Sequence, residues 1–386
     1  MNKPANVYLD YAATTPVDKR VLDAMLPYFS EDFGNPSSTH WRGQKAEAAV
    51  DHARNIVAKC LNAKSDEVVF TSCGSESDNL AIRGTAFVQR KERGANHILI
   101  SPVEHHAVLH TARQLADEFG FELEFLPVDE FGMVHPGEVE KRLRKNTALV
   151  SVIYANNEIG TINPIREIAE ICRKNGVIFH SDAVQAAAHL PIDFLDESID
   201  LLAIGAHKFY GPKGVGALLI RNETELLPII TGGKQENGLR AGTHNVPLIV
   251  GLAEALVLSQ SDRTSRNEKT TDKRDYLIEQ VLKRLPEARL TGHPVKRLPN
   301  HASFVFHNVD GNMLLMLLDA AGFAVSSGSA CKVGSPKPSD VLLAAGITED
   351  WALGSLRVTL GRDTEIKDLD LFLEVLPKAV ESARKN

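Results

Sequence analysis

Short apolar runs rich in β-branched residues alternate with stretches of helical spacing through most of this chain, and that alternation constrains its architecture. Val68 to Thr71 precedes a helix that opens near Ser75, and His97 to Ser101 precedes helical spacing from His106 to Phe119. Leu149 to Ile153 leads to a helix begun by Pro164. Val177 to His180, Leu201 to Ile204 and Gly216 to Ile220 are further strand candidates. Strands that are apolar throughout are buried on both faces, so the pattern predicts a mainly parallel sheet covered by helices on either side. Ligands of such sheets bind beyond the carboxyl ends of the strands.

From Ser259 to Asp275 there is no aliphatic or aromatic residue, although helical patterning flanks the stretch on both sides. A solvated length of one long helix, or a helix-loop-helix, is expected there, and it marks a seam between a large domain and a C-terminal one. The C-terminal part carries shorter strands, Ala302 to Phe306 and Leu356 to Leu360. A length of 386 residues with 43% hydrophobic content is ample for two such cores.

A net charge of -7 argues against nucleic acid as a direct partner and gives no electrostatic reason to bind a membrane. No apolar run reaches the roughly 20 residues that span a bilayer. Met1 to Asp10 lacks the charged and apolar regions of a signal peptide, so a cytoplasmic location is expected. The four cysteines, Cys60, Cys73, Cys172 and Cys331, form no Cys-x-x-Cys pair. That fits a reducing compartment, and no metal site is expected from ligand spacing.

Four segments carry candidate chemistry. Phe70 to Asp78 passes from a strand through small residues into a helix, and Ser75 and Asp78 have capping-box spacing. The free amides around Gly74 to Glu76 suit a phosphate, although ordinary capped helices look the same. Asp182 ends an apolar strand, where it either pairs with a protonated heterocycle nitrogen or caps the next helix. Lys208 follows the next strand in a loop of small residues, as an imine-forming amine or a solvated surface lysine. Ser326 to Cys331 presents a thiol among small residues, either as a reactive group or as a bystander in a loose loop.

Together the first three match the needs of pyridoxal phosphate: an amide nest for phosphate, a carboxylate for the pyridinium nitrogen and an amine for the aldehyde. Here the sequence resembles fold-type I pyridoxal-phosphate enzymes, and more narrowly the cysteine desulfurases of the class-V aminotransferase family that supply iron–sulfur assembly. The resemblance runs from Leu9 to Pro16 through Phe33 to Ser38, Glu104-His105, Asn156 to Gly160, His207-Lys208, Arg240 to Thr243 and Ser326 to Cys331, ending at Ser355 to Val358.

The resemblance implies a large domain, residues 15–260, built on a mainly parallel seven-stranded sheet. It implies a smaller α/β domain from residues 1–14 and 261–386, carrying the catalytic-cysteine loop. Lys208 would bind the cofactor aldehyde and later move protons. Asp182 would keep the ring nitrogen protonated, with Gln185 and Asn157 on the ring-oxygen side and His105 stacked on the ring. Gly74, Ser75 and His207 would hold the phosphate, and Thr243 would reach the phosphate bound by the partner subunit of a homodimer. Arg357, with Asn35 nearby, would clamp the substrate carboxylate. Cys331 would take the sulfur of L-cysteine as a persulfide, leaving L-alanine, and pass it to an iron–sulfur scaffold or another acceptor protein.

Two positions depart from the family pattern. Cys73 stands where glycine is usual, and Gly205 where a phosphate-binding serine is usual, so Gly205 offers only its amide. The rival readings explain less. A selenocysteine lyase on the same scaffold does not require the Cys331 thiol, a Cys331 thiol hydrolase leaves Lys208 and Asp182 idle, and a catalytically inert subunit would be expected to lack Lys208 or Cys331.

Overall fold

Seven strands make the central sheet of the computed structural model, which describes residues 6–327 and 337–384; Cys331 lies outside the described residues. The strands lie in the order Val68–Thr71, Gly216–Ile220, Leu201–Gly205, Ile178–Asp182, Thr147–Ser151, His97–Ile100 and Glu122–Phe125. Only Gly216–Ile220 runs against its neighbours, so the sheet is mainly parallel, as the alternating pattern predicts. Val68–Thr71, His97–Ile100, Thr147–Ser151, Leu201–Gly205 and Gly216–Ile220 are buried at every residue, which is why they read as unbroken apolar runs.

Successive side chains of a strand point to opposite faces, and both faces here are packed. Ile98 and Ile100 join Ile82 and Val108 in one core, while Leu99 joins Phe179, Val57 and Leu252 in another. Helices Gly74–Arg93 and His106–Phe119 each end at a glycine in the left-handed region, Gly94 at φ 67° and Gly120 at φ 70°. A side chain there would be strained, so these glycines stop the helices and return the chain to the sheet.

A separate core gathers Leu277, Val281, Phe304, Leu356, Val358 and Phe372 around the antiparallel strands Arg289–Leu290, His301–Val305 and Ser355–Thr359. Leu9, from the other end of the chain, packs into it, and Val7–Tyr8 pairs in parallel with Phe323–Ala324. The stretch 259–275 is helical and largely exposed or half-exposed, as expected, but it is not wholly solvated. Helices Val246–Ser261 and Arg263–Arg284 meet at Asp262, and Ser259, Thr270 and Arg274 are buried. Its polar side chains satisfy carbonyls of neighbouring segments. Arg274 Nη1 donates to Leu298 O at 2.9 Å, and Asn267 Nδ2 to His189 O at 2.6 Å.

Candidate active site

Three adjacent elements bring the chemistry to one edge of the sheet. Asp182 is the last residue of Ile178–Asp182, and Lys208 ends the 3-10 turn that follows Leu201–Gly205. Helix Gly74–Arg93 starts at the same edge, after Val68–Thr71. Between them lies a cavity of about 280 Å³ whose lining includes Gly74, Ser75, His105, Asn157, Asp182, Gln185, His207, Lys208 and Arg357.

The helix start differs from the expected capping box. Cys73 is the N-cap residue and makes no side-chain capping bond. Asp78 is instead fully buried, with Oδ1 3.4 Å from His180 Nε2, and Glu76 accepts from the Ser72 amide at 2.9 Å. The first-turn amides still lack intrahelical acceptors, as at any helix start, so an anion can be held there without the box.

Lys208 Nζ donates to the carbonyl oxygens of Ala12 and Ala13, both at 2.7 Å. Burial, reinforced by the Arg357 charge and opposed by Asp182 and Asp10, brings its pKa down to about 8. Gln185 Nε2 donates to the same Ala12 carbonyl at 2.8 Å. Asp182 accepts the Val184 amide at 2.9 Å, and burial together with Asp78 pushes its carboxyl above the usual range. One side-chain ligand atom from each of Asp78, His105 and Asp182 lies within 4.8 Å of the other two.

His105 caps helix His106–Phe119, its Nδ1 accepting the Ala107 amide at 3.1 Å. Desolvation holds its imidazole below the ordinary histidine pKa, and burial brings His207 down to about 4. Both rings are therefore neutral at physiological pH. His207 Nδ1 lies 3.2 Å from Thr14 Oγ1. Arg357 Nη1 donates to Asn157 O at 2.9 Å and Nη2 to Asp10 Oδ1 at 2.8 Å, while its buried Nε has no partner among the described residues.

Three expected positions stand apart from this cavity. Asn35 Oδ1 accepts the Ser37 amide at 3.0 Å. Thr243 lines a separate cavity of about 200 Å³ with Phe70, Ser72, Arg240 and His244. Gly205 lies beneath the phosphate-side turn, where a Cβ would stand 3.6 Å from the Gly74 amide nitrogen. Sequence reasoning missed the roles of Asp10 and of the Ala12 and Ala13 carbonyls, and assigned Asp78 to a cap instead of to this cluster. Asp78 had a signal, an acid within the apolar face of a helix bound for the sheet.

The residues present fit pyridoxal phosphate. The donor set combines a helix start, a neutral imidazole, a buried carboxylate and an amine of lowered pKa, and the buried Arg357 Nε has no partner among the described residues. Fold and site together define a fold-type I pyridoxal-phosphate enzyme. A family model described as aminotransferase class-V matches residues 7–372. A curated cysteine desulfurase of Dictyoglomus turgidum is 48% identical over 378 residues, covering 98% of this chain and 95% of that protein. Two solved structures align closely. One, described as a NifS-like protein, has a TM-score of 0.91 at 35% identity, covering 98% of this chain and 100% of the other. The second, SspA in complex with cysteine, has a TM-score of 0.80 at 37% identity, with 92% and 98% covered. The chain belongs to the class-V aminotransferase family and, within it, to the cysteine desulfurases.

Proposed function

We propose that the chain moves the sulfur of L-cysteine onto Cys331 as a persulfide and releases L-alanine. The observation that carries this reading is the meeting of Lys208, Asp182 and Arg357 at one cavity beside a helix start. Bound pyridoxal phosphate supplies an electron sink for the pair released at the substrate α-carbon. Arg357 orients the substrate carboxylate, its Nε being a donor without a partner among the described residues. Lys208 takes the α-proton, for which an amine with a pKa of about 8 is well matched to neutral pH. With the cofactor bound, Asp182 would hold a negative charge toward its ring nitrogen, Gln185 and Asn157 would hold the ring oxygen, and His105 would pack against the ring.

The sulfur step balances without an external oxidant. The carbon–sulfur bond of cysteine breaks and its electron pair stays with the substrate β-carbon. The Cys331 thiolate forms the new sulfur–sulfur bond, and the proton it gave up ends on that carbon. Cysteine and a thiol thus become alanine and a persulfide.

The reading extends to a homodimer. Leu26, Phe29, Phe33 and Trp41 are exposed, each at more than half of its surface, and Thr243 lies outside its own cavity, where it suits the site of a second copy. The persulfide would pass to an iron–sulfur scaffold or another acceptor in the cytoplasm. No helix among the described residues is long and apolar enough to cross a membrane. The proposed domain division, 15–260 against 1–14 with 261–386, is supported by Leu9 lying in the second core.

The deciding experiment supplies L-cysteine and measures alanine together with persulfide on Cys331. Alanine formed by Cys331→Ala at the wild-type rate would move the acceptor to another thiol, with Cys73 the first to test.

A further inference from the structure

His180 and Asp182 are two residues apart on one strand, so they face the same side of the sheet, and helix Gly74–Arg93 covers that side. Asp78, in the second turn of that helix, sits against both of them. Its Oδ1 is 3.4 Å from His180 Nε2, and a carboxylate oxygen lies within 4.8 Å of Asp182. His180 is fully buried, and its Nδ1 is 2.9 Å from Ser151 Oγ. Among the described residues, neither Asp78 Oδ1 nor His180 Nε2 makes a well-formed hydrogen bond.

Two carboxylates this close, both shut away from water, cannot both ionise cheaply. Asp182 has the better support for a charge, because it accepts the Val184 amide and interacts with the Lys208 amine, which Asp78 does not. Asp78 faces Asp182 and His180 from the strand and Glu104 and His105 from the segment after His97–Ile100. None of these is a fixed cation. Desolvation pushes Asp78 well above the usual carboxylate range and brings His180 down to about 4, so the imidazole is a neutral acceptor.

We propose that Asp78 is a positioning residue that keeps its proton, shares it with His180 Nε2, and leaves Asp182 as the single negative charge beneath the cofactor ring. The inference rests on the reading that Asp182 faces the ring nitrogen. An uncharged Asp78 lets Asp182 approach a protonated ring without a second charge, which would overstabilise that proton and blunt the site's response to substrate. It also gives His180 a donor, which fixes the imidazole tautomer and the strand end carrying Asp182.

The test is a pH titration of the visible absorption of the holoenzyme, which reads the charge around the ring without turnover. In Asp78→Asn the amide keeps the shape and a donor toward His180 but has no charge. If Asp78 is already neutral, the midpoint stays within about 0.3 pH unit of wild type. Removing a real charge at this range would move it by about one unit or more, and a downward shift of that size overturns the proposal. Asp78→Ala, which removes the donor, is expected to broaden or shift the band where Asp78→Asn does not. An unshifted Asp78→Ala spectrum also overturns the proposal, since His180 would then need no partner.

Urea unfolding gives an independent readout. An acid whose folded pKa stands above its unfolded value takes up a proton on folding, so wild type loses stability relative to Asp78→Asn as pH rises above the ordinary aspartate pKa of about 3.9. A difference that stays flat between pH 5 and 8 is consistent only with an ionised Asp78 that is matched in both states, and overturns the proposal. Asp182→Asn separates the two readings. If it leaves the spectrum unchanged, the ring-nitrogen reading fails and this inference with it. If it shifts the spectrum and Asp78→Asn does too, only the role of Asp78 is overturned.

Discussion

Lys208 Nζ donates to the carbonyl oxygen of Ala12 at 2.7 Å, tying the loop after Leu201–Gly205 to a turn near the other end of the chain. The amine is thus held at the cavity by oxygen acceptors that an imine nitrogen no longer needs. Burial and Arg357 depress its pKa to about 8, so the reactive neutral fraction grows as pH rises toward that value. Cofactor capture by the cofactor-free chain should therefore accelerate about tenfold per pH unit below 8 and level off above it. Stopped-flow absorbance measures the rate, and borohydride should fix the cofactor to Lys208. An inflection near the ordinary lysine pKa of about 10.4 would show that the amine is not desolvated.

Asp10 holds Arg357 in place, its Oδ1 accepting from Nη2 at 2.8 Å. Asp10→Asn weakens that charged bond by about 1–2 kcal/mol and frees the guanidinium to wander. The expected result is a KM for cysteine raised about tenfold with kcat changed less than threefold, the mark of lost ground-state binding. Arg357→Lys should raise KM further, because an ammonium cannot bind a carboxylate through two parallel bonds. Steady-state alanine production distinguishes these cases.

Gly205 leaves room for the hydroxyl that the family usually places there. A Cβ would meet the Gly74 nitrogen and Val184 Cγ1 at 3.6 Å, an ordinary contact. Gly205→Ser should therefore fold normally and slow cofactor loss about fivefold, as one hydrogen bond worth about 1 kcal/mol predicts. Dialysis followed by absorbance tests this, and faster loss would mean that the turn had been displaced.

Glu236 ties together three segments. Its carboxylate accepts from Arg54 Nη1 at 2.7 Å, Arg54 Nη2 at 2.8 Å, His244 Nε2 at 2.7 Å and the Phe70 amide at 2.9 Å. The residue is held at φ 50°, in the left-handed region, which these bonds must offset. Although burial opposes ionisation, the Arg54 and His244 bonds bring its pKa down to about 2. A depressed carboxyl stabilises the fold above its unfolded pKa of about 4.3 and loses that contribution as pH falls toward 2. Glu236→Ala should cost about 3–5 kcal/mol at pH 7, less at pH 3, and should loosen neighbouring Thr243. Urea unfolding at the two pH values checks the sign.

Six of the seven strands of the central sheet were legible as short apolar runs; Glu122–Phe125, a half-exposed edge strand that alternates acids with apolar residues, was not. A strand buried on both faces has no polar alternation to confuse it, and Val68–Thr71, Leu201–Gly205 and Gly216–Ile220 read as continuous apolar runs. Lys208 and Asp182 were legible for the same reason, since each follows such a run and must then lie at the carboxyl edge. The segment 259–275 was legible as a mostly solvated helical stretch, but its tertiary contacts were not, because composition alone does not distinguish a polar side chain in water from one donating to a distant carbonyl. Arg274 and Asn267 find their acceptors in Leu298 and His189, which no local pattern reveals.

Local sequence thus determined the sheet, the family and the types of group needed for the chemistry. Spacing along the chain does not say which acids share a pocket. The capping box expected of Ser75 and Asp78 fails because tertiary packing turns Asp78 inward, against His180 and beside Asp182. In the same way, Asp10 reaches Arg357 because the N-terminal segment pairs with the C-terminal part of the chain, Val7–Tyr8 with Phe323–Ala324 and Asp10 with Thr359. Desolvation and charge pairing depend on distances between segments far apart in sequence. The fold alone decided where charge can reside, and so which carboxyl holds a proton and which amine is free to react.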